Sequence, residues 1–353
     1  MCYNIEQAGI EGESMSFKRN IFFVALIAIC VCFTTGFTFF KNVNSIFQNV
    51  SKTKNELWCV TLQLVWNEFM DKYSDGKPII FEGRTPKTAK QLNKKLYTKE
   101  ILDSKSYYLA QGEISLDLKK EIETAIKNKF NETSDVLDFI NWGAKNSYLF
   151  YAMLKKDFTY PNEFKKLDAA YFNSSKEKVK YFGVAAGASS KMRNGVDVMF
   201  YNSPNEYAVK LKTNQGEDVI LLRTKKKGDF EKLYSYVVDN TDFGTFNRKD
   251  TLKVPEINVD EVISYDDLTG KKLKDKNQVI TQALQTIKFK LDNKGGSLKS
   301  EAVISVMTTS LQPVVEPRNF TFDKPFVLFL KETAADKPYY AMKIENTKYL
   351  VKE

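Results

Sequence analysis

FTFDKPFVLFL, residues 320–330, is the stretch from which the reading of this chain begins. Asp323-Lys324-Pro325 is a turn: Asp bonds its own backbone there, and Pro brings a fixed φ. Residues 326–330 are apolar without a break, as in a strand buried on both faces. Pro325 stands at the strand start, where a missing N–H leaves no gap in the ladder. Phe322 and Phe326 lie four residues apart across that turn, so both rings are expected in the core.

Outward from this strand, apolar and alternating runs recur at 148–154, 179–184, 196–201, 207–211, 219–222, 252–259, 287–291, 302–307, 340–344 and 349–351. Gly, Asn, Ser or Pro turns separate them, the pattern of strands. Residues 229–238 read as a helix within the strand-rich part. Before Trp142 the texture is helical. Leu57, Val60, Leu64, Val65 and Phe69 recur at three- and four-residue steps, and Ser74-Asp75-Gly76 ends them. Thr85-Pro86 opens a second helix, residues 116–130 form a third, and 136–140 a short fourth. Helices first and strands after argue an α+β fold with large mixed and antiparallel sheets. No repeat or linker divides it, so residues 41–353 are expected to form a single domain. Residues 51–142 are its mainly helical part and 143–353 its mainly β part.

The composition excludes much chemistry. Among 353 residues there is no histidine, so a Ser-His-Asp triad, a Cys-His pair and a His-bearing zinc site are ruled out within the chain. Of the four cysteines only Cys59 lies beyond residue 40, which leaves no disulfide framework there. The net charge of +9 goes with a Lys-rich composition and is not taken as a nucleic-acid footprint. Asp157, Glu163 and Asp266-Asp267 lack the spacing of an acid–base pair. Lys225-Lys226-Lys227 reads as a solvated turn, and Gly295-Gly296 lacks the rest of a phosphate-cradling loop. Trp58, Trp66 and Trp142 read as core. No catalytic group, cofactor or metal is expected, and a monomer is.

Residues 21–40, IFFVALIAICVCFTTGFTFF, carry no charge and are long enough to span a bilayer as a helix. Lys18 and Arg19 precede them and only Lys41 follows closely, so residues 1–20 are expected in the cytoplasm and the C-terminal domain outside. The alternative is a secreted protein after signal cleavage. Met15 would then be the start, and Thr34-Thr35-Gly36 a weak cleavage site.

The stretch at 320–330 also resembles the C-terminal signature of the serpins: apolar, any, apolar, Asp or Asn, basic, Pro, Phe, then an apolar strand. The order upstream is similar. IKFKL (287–291) followed by Asp292-Asn293-Lys294-Gly295 resembles a central-sheet strand and the Glu-x-Gly opening of the hinge. TLKVPEI (251–257) resembles the family's Leu-Pro-Lys-Phe strand. YLFYAMLKKDFTYPNEF (148–164) resembles its Asn-Ala-Ile-Tyr-Phe-Lys-Gly-x-Trp stretch, with Tyr151 in place of Asn, Phe158 in place of Trp and the Gly missing.

The resemblance implies a bait loop at about 296–319. A serine or cysteine protease, extracellular here, would cleave it and be held as an acyl-enzyme. The loop would then enter the central sheet. The hinge would comprise Gly295, Gly296, Ser300, Glu301, Ala302, Val303 and Ile304. The scissile bond would fall among Thr309, Ser310, Leu311, Gln312, Pro313 and Val314. Alternation fits insertion in part: Leu298, Ser300, Ala302, Ile304 and Val306 share one face. Val303-Ile304 departs from it, because inhibitory members prefer small residues there and β-branched ones are stiff. Three readings stay open on the sequence: a membrane-anchored inhibitor, a non-inhibitory binding or structural module on the cell surface, and an unrelated enzyme or receptor.

Overall fold

The computed structural model describes residues 55–299 and 317–353, a compact unit within 53–353. In chain order it runs β1 (Glu56–Cys59), α1 (Thr61–Ser74), α2 (Lys87–Leu92), β2 (Tyr107–Glu113), α3 (Leu116–Phe130), β3 (Tyr148–Leu154) and β4 (Lys156–Thr159). Then come β5 (Lys165–Tyr171), β6 (Lys178–Val184), α4 (Ser190–Arg193), β7 (Val196–Ser203), β8 (Glu206–Lys212), β9 (Glu217–Arg223) and α5 (Phe230–Asn240). The rest is β10 (Gly244–Thr245), β11 (Thr251–Pro255), β12 (Ile257–Ser264), β13 (Leu284–Leu291), β14 (Gly295–Lys299), β15 (Asn319–Thr321), β16 (Phe326–Glu332) and β17 (Pro338–Ile344). Five helices against these strands make the described part α+β.

Helix limits follow their chemistry. The Ser115 hydroxyl accepts from Leu118 N and starts α3, while Asp229 caps α5 by accepting from Lys232 N. Asp75, in the left-handed conformation, ends α1. The periodicity beginning at Leu57 overshoots. Residues 56–59 instead form β1, whose backbone pairs with β17, and a four-residue strand is too short to show a period of two. The expected strand at 252–259 divides at Glu256, so that β11 and β12 join different sheets. Residues 136–140 hold one tight helical turn, Leu137–Phe139, and 347–349 hold another. β2, not expected from the sequence, lies inside the helical part and pairs with β3.

A seven-stranded antiparallel sheet, β1-β17-β16-β9-β8-β7-β10, carries β16 near its centre. Phe326 is buried and packs edge-on against Phe322 at 5.3 Å and Phe172 at 6.2 Å, as the sequence anticipates. The turn before it is pinned: Arg223 Nη1 donates to Asp323 Oδ1 at 2.9 Å and to Thr321 O at 2.7 Å. A second sheet, β15-β11-β6-β5, has one parallel pair, β15 with β11. The third, β12-β13-β14-β4, is joined through Lys155 to the ribbon β2-β3.

α1 and α3 cover opposite faces of β3. Phe150 meets Phe69 of α1 with centroids 5.5 Å apart. Tyr151 and Met153, next in the pleat, join Leu118, Ile122 and Ile126 of α3. That is the alternation a strand between two helical layers requires. Among the described residues no helix is long and apolar enough to cross a membrane, and residues 21–40 lie outside them.

Candidate functional site

The site is built where β13, β14 and β4 meet. β14 runs antiparallel to both neighbours. Gly295 faces Thr159, Gly296 faces Phe158 and Leu291, and Leu298 faces Lys156 and Phe289. The flanking backbones approach too closely for side chains at the two glycines. A Cβ on Gly295 would stand 2.0 Å from Phe158 O, and one on Gly296 would stand 2.7 Å from Lys290 O. Leu298 is fully buried among Phe289 and Leu291, while Lys299 turns to the other face.

Lys299 is held by a charged clamp. Its Nζ donates to Thr133 O at 2.7 Å and to Asp135 Oδ2 at 3.0 Å, and lies 3.4 Å from Glu132 Oε2. Lys288 of β13 donates to Asp135 Oδ1 at 2.8 Å, and Lys155 reaches Glu132 Oε1 at 3.2 Å. Residues 132–135 thus strap three adjacent strands. Partial burial works against ionised Asp135, yet hydrogen bonds from Lys288 and Lys299 outweigh it and hold the carboxyl below its usual range. Glu132 is lowered in the same way, burial being overcome by Lys155 and Lys299.

Beyond Lys299 no described strand lies between β13 and β3. β13 continues as residues 284–287 and β3 as 148–154, and on their facing edges neither pairs with a described strand. Between them lies a cavity of about 780 Å³, floored by Trp66 and Phe69, roofed by Val136 and Phe139, and bordered by Lys299. The β13 wall is fixed from beneath: Gln285 Nε2 donates to Thr61 Oγ1 at 2.7 Å and to Cys59 O at 3.1 Å, and its Oε1 accepts from Tyr265 Oη at 2.7 Å.

The chain returns at Arg318. Its backbone N donates to Asp250 Oδ1 at 2.9 Å and its Nη2 to Asp250 Oδ2 at 2.8 Å. Asp250 is fully buried, so this pair anchors the start of β15 beside β11.

Of the residues singled out from the sequence, Gly295 and Gly296 lie in β14, within the sheet. Ser300, Glu301, Ala302, Val303, Ile304, Thr309, Ser310, Leu311, Gln312, Pro313 and Val314 lie outside the described residues. Asp157 is exposed beside Lys155, and Asp267 accepts from Thr88 N at 2.9 Å. Lys225–227 are exposed, with Lys226 Nζ 4.3 Å from the centre of the Tyr236 ring. Among the described residues no acidic or cysteine cluster is arranged for a metal. Sequence reasoning missed Glu132, Asp135, Lys299, Asp250 and Arg318. Each is an ordinary surface residue type whose partner is distant in sequence, so no local pattern marks it.

No protein-family model matches the chain, and no curated protein matches it in sequence. Solved structures do. A cleaved serpin, Serpin 42Da, is 10% identical with a TM-score of 0.53, over 86% of this chain and 95% of that one. A tumour-suppressing serpin is 12% identical with a TM-score of 0.51, over 87% and 96%. A serpin of the trematode Schistosoma haematobium is 12% identical with a TM-score of 0.50, over 85% and 95%. The chain has a divergent serpin-like fold.

Proposed function

We propose that this chain is a membrane-anchored protease inhibitor of the serpin type, acting by cleavage among residues 309–314 and insertion of the segment that precedes the cut. One observation carries the reading: the described part of β14 reaches Lys299, on the border of an opening between β13 and β3 that no described strand fills. Extending the register of β14 sets Ser300 opposite Leu154 and Ile287, and Ala302 opposite Ala152 and Gln285. Ile304 and Val306 would then lie opposite Phe150 and Tyr148, on the apolar face toward α1. Entry would supply ladder bonds to two edges that pair with no described strand and remove apolar surface from water.

The mechanism needs no catalytic group from this chain. The nucleophile of a serine or cysteine protease attacks a carbonyl among residues 309–314, and the new N-terminus leaves as the acyl-enzyme forms. Before that cut, the loop is tethered at both stems, by β14 and by the Arg318–Asp250 pair. The cut frees the hinge side from the second tether, so the strand can fill the opening and carry the acylated protease with it. Residues 21–40 anchor the chain, with the domain outside the cell, where an extracellular protease would meet it.

A second reading, a non-inhibitory binding module, is favoured by Val303 and Ile304. In the extended register Val303 would enter between Tyr151 and Leu284, and Ile304 beside Phe150, where bulky stiff residues delay entry. Incubating the protein with a panel of serine and cysteine proteases separates the two. An SDS-resistant covalent complex, rising in yield when Val303 and Ile304 are both replaced by Ala, supports inhibition. Cleavage without complex by either form favours the binding module.

A further inference from the structure

The strand that flanks the hinge on one side, β4, is tied to the seven-stranded sheet by three ionisable side chains with almost no exposure. Lys156 is 5% exposed, Glu217 1% and Glu332 1%. Glu217 of β9 and Glu332 of β16 are direct cross-strand partners, so their carboxyls share one face. Lys156 Nζ approaches from β4, 2.9 Å from Glu217 Oε1 and 3.7 Å from Glu332 Oε1. Glu332 Oε1 also accepts from Asp103 N at 3.0 Å. Thr213 Oγ1 is engaged by the backbone of Glu217, donating to its O and accepting from its N. Both Glu217 carboxyl oxygens are buried without a well-aligned donor.

One ammonium therefore faces two carboxyls in a setting where an uncompensated charge is costly. We propose that Lys156, Glu217 and Glu332 form a buried lock between β4 and the seven-stranded sheet that holds one proton on its two carboxyls and loosens when that proton leaves. Burial pushes Glu217 up to about 7, against the pull of Lys156. It pushes Glu332 up to about 7 as well, against the Asp103 N–H and Lys156, with Glu217 and Asp103 adding repulsion. Unfolded, each carboxyl releases its proton near 4.5. Between that pH and 7 the unfolded chain binds fewer protons than the folded one, so stability falls as pH rises. Lys156 pairs in register with Leu298, so the loss is felt at the wall that grips the hinge strand.

The test compares the full chain with Glu332→Gln, which keeps the shape and leaves one carboxyl for one ammonium. In wild type the thermal unfolding midpoint should fall by roughly 5 °C or more between pH 5 and pH 8. In Glu332→Gln, and independently in Glu217→Gln, most of that fall should vanish. Infrared spectra of wild type at pH 6 should contain a protonated-carboxyl C=O band that disappears by pH 8 and is missing from either variant. Equal pH slopes in wild type and both variants, or the absence of such a band in wild type, overturn the proposal. If neither variant folds, the infrared band of the wild type alone decides.

Discussion

The two halves of the edge that β13 presents to β14 differ in a telling way. In the closed half, β14 lies between β13 and β4, with two glycines admitted where no Cβ fits and Leu298 sealed against Phe289. In the open half the same two walls continue, as residues 284–287 and 148–154, around a cavity of about 780 Å³. The boundary between the halves is Lys299, strapped by Glu132 and Asp135. Among the described residues, β13 is thus paired by β14 along one half of that edge and by no strand along the other.

The contrast is tested first by aromatic truncation on each side. Phe289 is fully buried and meets Tyr340 at 5.0 Å, so Phe289→Ala should cost about 3–5 kcal/mol in a reversible denaturant titration. Phe150 lines the opening and is only half-buried, so Phe150→Ala should cost about 1–2 kcal/mol. Equal losses would mean that the open half is as well packed as the closed one.

A smaller effect is expected at the hinge. In Gly295→Ala the new Cβ meets Phe158 O, so β14 must leave its place, at a cost of about 1–3 kcal/mol. Amide exchange of residues 296–299 should then rise while that of β16 does not. Unaltered exchange would show that the glycines are not what admits the strand.

The smallest effect is at the clamp, and it carries a sign. The folded carboxyl of Asp135 is held low, so its contribution to stability is present above the usual carboxylate range, near 4, and is lost as pH falls through the folded value. Asp135→Asn should therefore flatten the acid side of the stability profile, by about 1 kcal/mol or less because the pair is partly exposed. The buried lock at Lys156 has the opposite sign and acts toward neutral pH, so the two sites are separable in one titration.

Much of the chain around β16 and the two glycines of β14 was legible in the sequence, and little of the opening. The turn at Asp323-Lys324-Pro325, the run into Phe326 and the pair of glycines each leave a local mark, since backbone constraint and unbroken hydrophobicity act between neighbours in the chain. α3 was legible to the residue because its core face, Ile122 and Ile126, follows one period. β2 was hidden: YYLAQGE includes Gln, Gly and Glu, poor strand formers, and it becomes a strand only because β3 supplies its ladder. The opening was illegible for the same reason. It is defined by Tyr148–Leu154 and residues 284–287, which are far apart in the chain. Lys156, Glu217 and Glu332 read as surface residues until the fold brings them together.

The central claim is that the open half is the seat of the loop. Nicking the full chain within residues 309–314 by a nonspecific protease, and comparing thermal unfolding before and after, tests it directly. Insertion would add a strand between two edges that pair with no described strand, so the nicked protein should melt roughly 10 °C or more above the intact one. An unchanged melting temperature, with cleavage in that segment verified by mass, would contradict the account.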